Sequence, residues 1–446
     1  MNIKLPDEVK YIIDVLEENG YEAYAVGGCV RDTLMGKEPT DWDICTSALP
    51  EQTMQCFEGR HIIETGLKHG TITLMLNHKP FEITTYRVDG KYKDNRRPEQ
   101  VKFVSVLKRD LARRDFTVNA MAYNPKTGLA DYYGGQQDLT EKKIKCVGNP
   151  DKRFQEDALR IMRALRFAAS LGFTIEENTA ESMRNNKKLL KNIASERIAN
   201  ELNKLLEGNN VGDILSEHLS VIAEIIPELA ATEGFEQNNP WHCYDVLNHI
   251  LISVDNAPKD YAMRLTMLFH DIAKPECYTE KDGKGHFYGH PKASSDMAKR
   301  ILSRLKYDNE TIRTVTQLIL YHDADIIPQK KYIKRWLNKI GEEKLRQLIE
   351  VKKADDMAKA EKYRKKAFDE VENILSVLNY VIGQGECFSL KDLAVDGKDL
   401  INMGISEGAE IGRILKELTD LVVDEKIENN KTVLLETVKN NITKGV

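Results

Sequence analysis

The chain has 446 residues, 41% of them hydrophobic and 30% charged, and a net charge of −5. That length sets an expectation of about two to four domains. The absence of any run of about 18 apolar residues argues against a helical membrane span, and the net charge excludes a general polycation, so any nucleic-acid contact must come from local patches. The seven cysteines are scattered, with no Cys-x-x-Cys pair, and the stretch from Asn2 to Glu8 is polar and acidic. These features point away from secretion, disulfide frameworks and zinc knuckles, and toward a reducing compartment, the cytoplasm.

Residues 4–19 have the spacing of an amphipathic helix, with Val9, Ile12, Ile13 and Leu16 on one face and Gly20 as its stop. Tyr21–Val26 reads as a strand that runs into Gly27 and Gly28, followed by a short helix from Val30 to Met35. Glycines at such a turn let a ligand approach the backbone, and the N–H groups opening the helix suit an anion. Asp41 and Asp43 bracket Trp42 at the start of an apolar strand. Two unpaired carboxylates side by side repel, and a divalent cation between them removes the conflict. Hard oxygen ligands favour Mg²⁺, which usually travels with phosphates.

Strand patterns continue over 61–64, 70–77 and 80–87, with a turn at His78-Lys79-Pro80. Glu82 lies on the last of them as a candidate third carboxylate. Arg87–Pro98 is rich in charge, Gly, Asn and Pro and reads as a mobile loop. A short strand near 103–106 and a charged helix from Leu107 to Asp115 follow. In Arg113-Arg114-Asp115-Phe-Thr-Val-Asn119 the guanidinium forks suit phosphate, and Asp and Asn suit sugar hydroxyls.

From about 150 the strand signals fade. Glu156–Leu171 is expected as one helix ended at Gly172, and helical periodicity dominates thereafter, apart from loops near 232–241, 255–260, 278–290 and 384–395. At the start of that helix, Asp157 and Arg160 stand three apart. C and A both present an exocyclic amino donor beside a ring-nitrogen acceptor, whereas U and G present the reverse. A carboxylate with a guanidinium would therefore accept C and A and refuse U and G. Glu156 and Arg160 also suit a plain i,i+4 ion pair. Basic clusters at Lys91–Arg97, Lys108–Arg114, Arg160–Arg166 and Lys359–Lys366 read singly as solvated faces. His249, His270-Asp271, His290 and His322-Asp323 fall on helices or the turns between them, and this mixture of imidazole and carboxylate suits a transition metal.

Taken in order, Val26-Gly-Gly-x-Val-Arg-Asp32, Asp41-Trp-Asp43, Glu82–Arg87, Asp89–Pro98, Arg113–Ala120, Asp131–Leu139, Glu156–Arg160 and Ser195–Ile198 resemble the bacterial tRNA nucleotidyltransferase (CCA-adding) and poly(A) polymerase family, class II of the polymerase β-like superfamily. The resemblance implies an α+β protein: a small mixed α/β head over 1–148, a helical neck over 149–215, an HD-type helical domain over 216–335 and a helical tail over 336–446. It implies Asp41 and Asp43 as Mg²⁺ ligands and catalytic residues, with Glu82 as a further catalytic carboxylate. Gly27, Gly28 and Arg31 would lie near the triphosphate, and Arg114 and Asp115 near the ribose. Asp157 and Arg160, with Arg163 beside them, would serve base recognition. The partners would be tRNA, CTP and ATP, with no membrane. In the family the loop at Arg87–Pro98 is needed to switch from C to A, and its full length here, with no basic tail before Val446, favours addition of C, C and A over poly(A) or single-A addition. His249, His270, Asp271, His290 and His322 resemble the HD-domain phosphohydrolases, which implies a transition metal or Mg²⁺ there. A phosphohydrolase with an RNA-binding head is the rival reading of a different class. Oligomeric state stays open between monomer and dimer.

Overall fold

The structure is a computed structural model that describes residues 3–90, 92–93, 97–98, 101–406 and 408–442. Two compact units are resolved. One runs to Ala230 and takes in Arg304–Lys306; the other comprises Ala231–Ser303 and Tyr307 onward. None of the described helices is long and apolar enough to cross a membrane.

The first unit begins with helix α1 (Asp7–Glu18), which buries Val9, Ile12, Ile13 and Leu16 as their spacing predicts. Strand β1 (Ala23–Val26) leads into helix α2 (Gly28–Leu34), and strands β2 (Asp43–Thr46), β3 (His61–Ile63), β4 (Thr71–Leu76) and β5 (Lys79–Thr85) follow. With the strands Met121–Asn124 and Gly128–Asp131 they form one seven-stranded sheet. Its order is Gly128–Asp131, Met121–Asn124, β1, β2, β5, β4, β3. Both faces are covered, because side chains alternate. Ala23, Ala25, Ile44, Met121 and Tyr123 join the core that holds α1, whereas Val26, Cys45, Ala120 and Ala122 join a second core with Leu107 and Leu111. The only parallel pair in this sheet is β2 with β5, and its register sets Asp43 opposite Glu82.

Beyond the sheet the chain becomes helical, as expected, with differences in detail. Lys143–Ile144 pairs in parallel with Thr174–Ile175, a small sheet inside the region expected to be all helix. The expected charged helix to Asp115 stops at Leu111, and Thr117–Asn119 forms a short 3₁₀ turn. The expected loop from Arg87 to Pro98 contains the strand Arg87–Asp89, paired with Val101–Phe103, and the strands Tyr92–Lys93 and Arg97–Pro98, paired with each other. Residues 91, 94–96 and 99–100 lie outside the described set. In the second unit the expected loop at 278–290 carries a hairpin, Thr279–Lys281 with Lys284–His286. Helices Val246–Asn256, Tyr261–Phe269, His290–Arg304, Asn309–Tyr321 and Glu342–Met357 pack around a buried polar cluster.

Candidate functional site

The glycine turn is built as the sequence suggests. Gly27 has φ 86° and ψ −127°, a conformation that penalises any residue with a Cβ, and a Cβ there would meet Arg114 Nη1 at 2.9 Å. The guanidinium of Arg114 thus rests against bare backbone. Asp41 lies in the segment entering β2, Asp43 is the first residue of that strand, and Glu82 is its neighbour across the parallel register. All three are exposed. Among the described residues none takes part in a salt bridge, and the trio does not close to within 4.8 Å. Asp43 is held above its ordinary pKa. Partial enclosure of its carboxyl is the main cause, and Glu82 and Asp41 add like charge against the opposing pull of Arg114. A carboxyl raised by enclosure and by two neighbouring carboxylates fits the donor set of a hard divalent ion.

In the same unit, polar side chains tie the sheet to the helices. Arg31 Nη1 donates to Asn119 Oδ1 at 2.6 Å, and Asn119 Nδ2 donates to Asp115 Oδ1 at 3.3 Å. Arg163 grips Asp115 Oδ2 through Nε at 2.8 Å and Nη2 at 2.5 Å. Burial alone would raise the Asp115 carboxyl, but Arg163, with help from Arg160, overrides it and brings it down to about 2. Arg31, Arg163 and Arg166 lie over the ring of Phe167, their guanidinium carbons at 5.3, 5.3 and 3.8 Å from its centroid. Arg113 and Arg114 are organised by Asp110, fully buried, at 2.9 and 3.7 Å. The Arg160–Arg166 cluster is therefore a paired scaffold, buried at Arg160 and half-buried at Arg163 and Arg166, and not a solvated face.

Asp157 and Arg160 correct the expectation of one continuous helix. The first helix, Pro150–Glu156, ends before Asp157, whose backbone is extended at φ −137° and ψ 104°; the next helix is Leu159–Leu171. Asp157 accepts from the Leu159 N–H at 3.1 Å and pairs with Arg197 at 3.2 Å. Arg160 donates to the carbonyls of Arg153 and Arg113 at 3.1 and 2.9 Å and pairs with Glu156 at 2.9 Å. The two side chains do not bind each other. Each is fixed by its own partners.

The second unit brings His249, His270, Asp271, His290 and His322 close together. Nδ1 of His270, His290 and His322 lies 2.7, 2.8 and 2.7 Å from the carbonyls of Met267, Phe287 and Ile319, and Nδ1 of His249 lies 3.4 Å from that of Ala358. Donation there leaves Nε2 as the free ring nitrogen. Yet His249 and His270 face each other through Nε2 at 3.2 Å, and His290 and His322 do so at 3.3 Å. Two lone pairs so placed repel unless a proton or a metal stands between them. Asp271 Oδ2 reaches His249 at 3.2 Å and His270 at 3.3 Å, while its Oδ1 reaches His290 at 3.3 Å and His322 at 3.6 Å. Oδ1 is buried without a hydrogen-bond partner. Asp355, which the sequence reading did not single out, reaches His249 at 2.9 Å and His270 at 3.4 Å. Burial would depress His270, but Asp271 and Asp355 lift it to about 10. Asp323 lines the adjoining cavity but stands outside the ligand groups.

Residues 23–145 match the model of the Poly A polymerase head domain, residues 172–232 that of the probable RNA- and SrmB-binding site of polymerase A, and residues 288–438 that of a putative tRNA nucleotidyltransferase domain 2. The CCA-adding enzyme of Limosilactobacillus reuteri is 35% identical over 439 residues, covering 97% of this chain and 96% of its own length. The chain belongs to the CCA-adding enzyme family. The Levilactobacillus brevis member is 34% identical over 437 residues, with 97% and 98% coverage. The fold of the family is shared as well. The crystal structure of the Bacillus stearothermophilus CCA-adding enzyme in complex with CTP superposes at a TM-score of 0.69 with 28% identity, covering 99% of both chains. The chain is thus a nucleotidyltransferase of α+β fold, as its motifs implied.

The residues missed by sequence reading share a character: Asp110, Glu201, Arg197 and Asp355 all lie on charged helices and look like solvent-facing charges. Asp110 was legible in principle, being three and four positions before an Arg pair. Glu201, which pairs with Arg166 at 2.7 Å, and Asp355 carried no local signal.

Proposed function

We propose that this chain adds C, C and A to the 3′ end of tRNA, using CTP and ATP and no nucleic-acid template. The observation that carries the reading is the juxtaposition of Asp41, Asp43 and Glu82, without ion pairs among the described residues and with the charge of Arg114 acting on Asp43, in the same compact unit as the separately anchored Asp157 and Arg160. Asp41 and Asp43 would hold Mg²⁺, with Glu82 flanking them. Mg²⁺ bound there would activate the tRNA 3′-hydroxyl and neutralise the charge that develops on pyrophosphate. Gly27 and Gly28 keep the backbone open to the triphosphate, and Arg114 acts on Asp43 with its positive charge. Arg31 lies near the triphosphate and Arg114 and Asp115 near the ribose, with Asn119 and Arg163 holding Asp115. Asp157 accepts the exocyclic amino proton of C or A, and Arg160 donates to the ring nitrogen. Their anchors, Arg197 on one side and Glu156 with two carbonyls on the other, hold the pair in place as a two-residue template. The segment Arg87–Pro98 serves the change from C to A. With CTP alone the protein should extend a tRNA lacking CCA by two residues and stop; given ATP and a tRNA ending in CC it should add one. Continuous A addition would support poly(A) synthesis instead.

A specific observation favours a second activity. The opposed Nε2 pairs, together with the orphaned Asp271 Oδ1, suit divalent metal: His249, His270, Asp271 and Asp355 would hold one ion, and Asp271, His290 and His322 another. We propose that this HD-type site binds divalent metal and supports phosphohydrolysis, which such ions promote by polarising a phosphoryl oxygen. Equilibrium dialysis against Mn²⁺ should show binding that His270→Ala removes; no binding would refute it.

A further inference from the structure

Two lysines border the HD-type site, and they are not equivalent. Lys274 is 4% exposed and fully engaged: its Nζ lies 2.6 Å from Asp271 Oδ2 and 2.8 Å from Gln237 Oε1, and it sits 5.2 Å from the Phe287 ring centroid. An ammonium has three donors, and these three neighbours take all of its directions. Lys359 lies on the other side of a cavity of about 320 Å³ that both residues line. Its Nζ lies 3.0 Å from Asp355 Oδ2 and 2.6 Å from Asp356 Oδ1, and its side chain is 27% exposed. Two carboxylates draw on two of its donors, and the third is left for the cavity. Its backbone is bridged to His242, another lining residue, which fixes where the side chain starts.

Charge points the same way. Asp271, Asp323 and Asp355 border the cavity, with Asp356 behind Lys359, against the two lysines. With imidazoles neutral, as they are when they bind metal, the four carboxylates and two lysines give the site two net negative charges. Two divalent cations would make it doubly positive, the complement of a phosphate monoester dianion, whereas a diester carries one charge. Resting on the metal-binding reading above, we infer that Lys359, and not Lys274, is the residue through which this chain grips a phosphoryl group at the HD-type site, and that the site selects monoester dianions over diesters.

The test uses the full chain loaded with Co²⁺, whose visible absorption reports both occupancy and ligand arrival. Inorganic phosphate should perturb the wild-type spectrum saturably, and dimethyl phosphate should require at least about tenfold more. Lys359→Met should retain the wild-type Co²⁺ stoichiometry yet need at least about tenfold more phosphate, and Lys359→Arg should restore binding to within about threefold. Retained stoichiometry also shows that the variants are folded. Wild-type phosphate affinity in Lys359→Met would overturn the role of Lys359, and equal affinity for dimethyl phosphate would overturn the selectivity. Failure of the wild type to take up Co²⁺ would instead overturn the metal reading, and this inference with it.

Discussion

The open site of the first unit and the cluster of the second both assemble carboxylates for cations, yet they are built in opposite ways. Asp41, Asp43 and Glu82 are exposed and lack ion pairs among the described residues. The cluster of the second unit is buried and already closed, its ligand atoms within 4.8 Å of one another in each group. An open site is completed by what it binds, which suits a reaction whose metals arrive with a triphosphate and whose acceptor is a large RNA. A closed site is preorganised to hold its cations between reactions and to offer them a small ligand. The first unit also holds a frame of arginines paired with Asp115 and stacked on Phe167.

The contrast breaks first at Asp43. Asp43→Ala should cut nucleotide incorporation by about a thousandfold or more while tRNA retention on filters changes by less than about threefold; substantial residual addition would show that the open site is not the reacting one. His270→Ala should do the converse, abolishing metal retention in dialysis and leaving incorporation within about twofold of wild type. A parallel loss of both would mean that the sites are not independent. Asp157→Ala should lower discrimination against UTP and GTP by about ten- to a hundredfold, read as misincorporation, because one lost hydrogen bond to the base costs about 1–3 kcal/mol. Arg160 is a poorer probe, since its removal also takes a donor from the Arg113 carbonyl and the Glu156 carboxylate.

The smallest expected effect concerns the frame. Asp115 is depressed from an ordinary 3.8 to about 2. A lowered carboxyl contributes stability that is present in full above its unfolded value and lost as pH falls through the folded one. That contribution is roughly 2 kcal/mol at neutral pH. Thermal unfolding of the wild type should therefore weaken between pH 4 and pH 2 more steeply than that of Asp115→Asn, and the two curves should converge at the acid end. Parallel curves would place the depression elsewhere.

Much of this was legible in the sequence where chemistry is local. Gly27-Gly28 at a strand end and Asp41-x-Asp43 before an apolar run announce their geometry within a few residues, and the alternation of β1 and β2 placed them on a sheet. The parallel register that sets Glu82 against Asp43 was not legible, because it depends on β3 and β4 lying beyond β5. The break at Asp157 was hidden by Ala158, Leu159 and Arg160, all good helix formers; tertiary anchors from Arg113 and Arg197 override that propensity. The histidines of the second unit could be gathered as a set, but Asp355 sits in Lys352-Lys353-Ala354-Asp355-Asp356, a run with the look of a solvated helix face. Only packing against the helix Val246–Asn256 brings it to His249.

The most direct test is to sequence the 3′ ends of a tRNA lacking CCA after incubation with the pure protein, Mg²⁺ and all four nucleoside triphosphates. The account predicts ends in C, C, A, with U and G below about one per cent, as expected when each wrong base costs about 3 kcal/mol. Runs of A, or U and G entering freely, would contradict it.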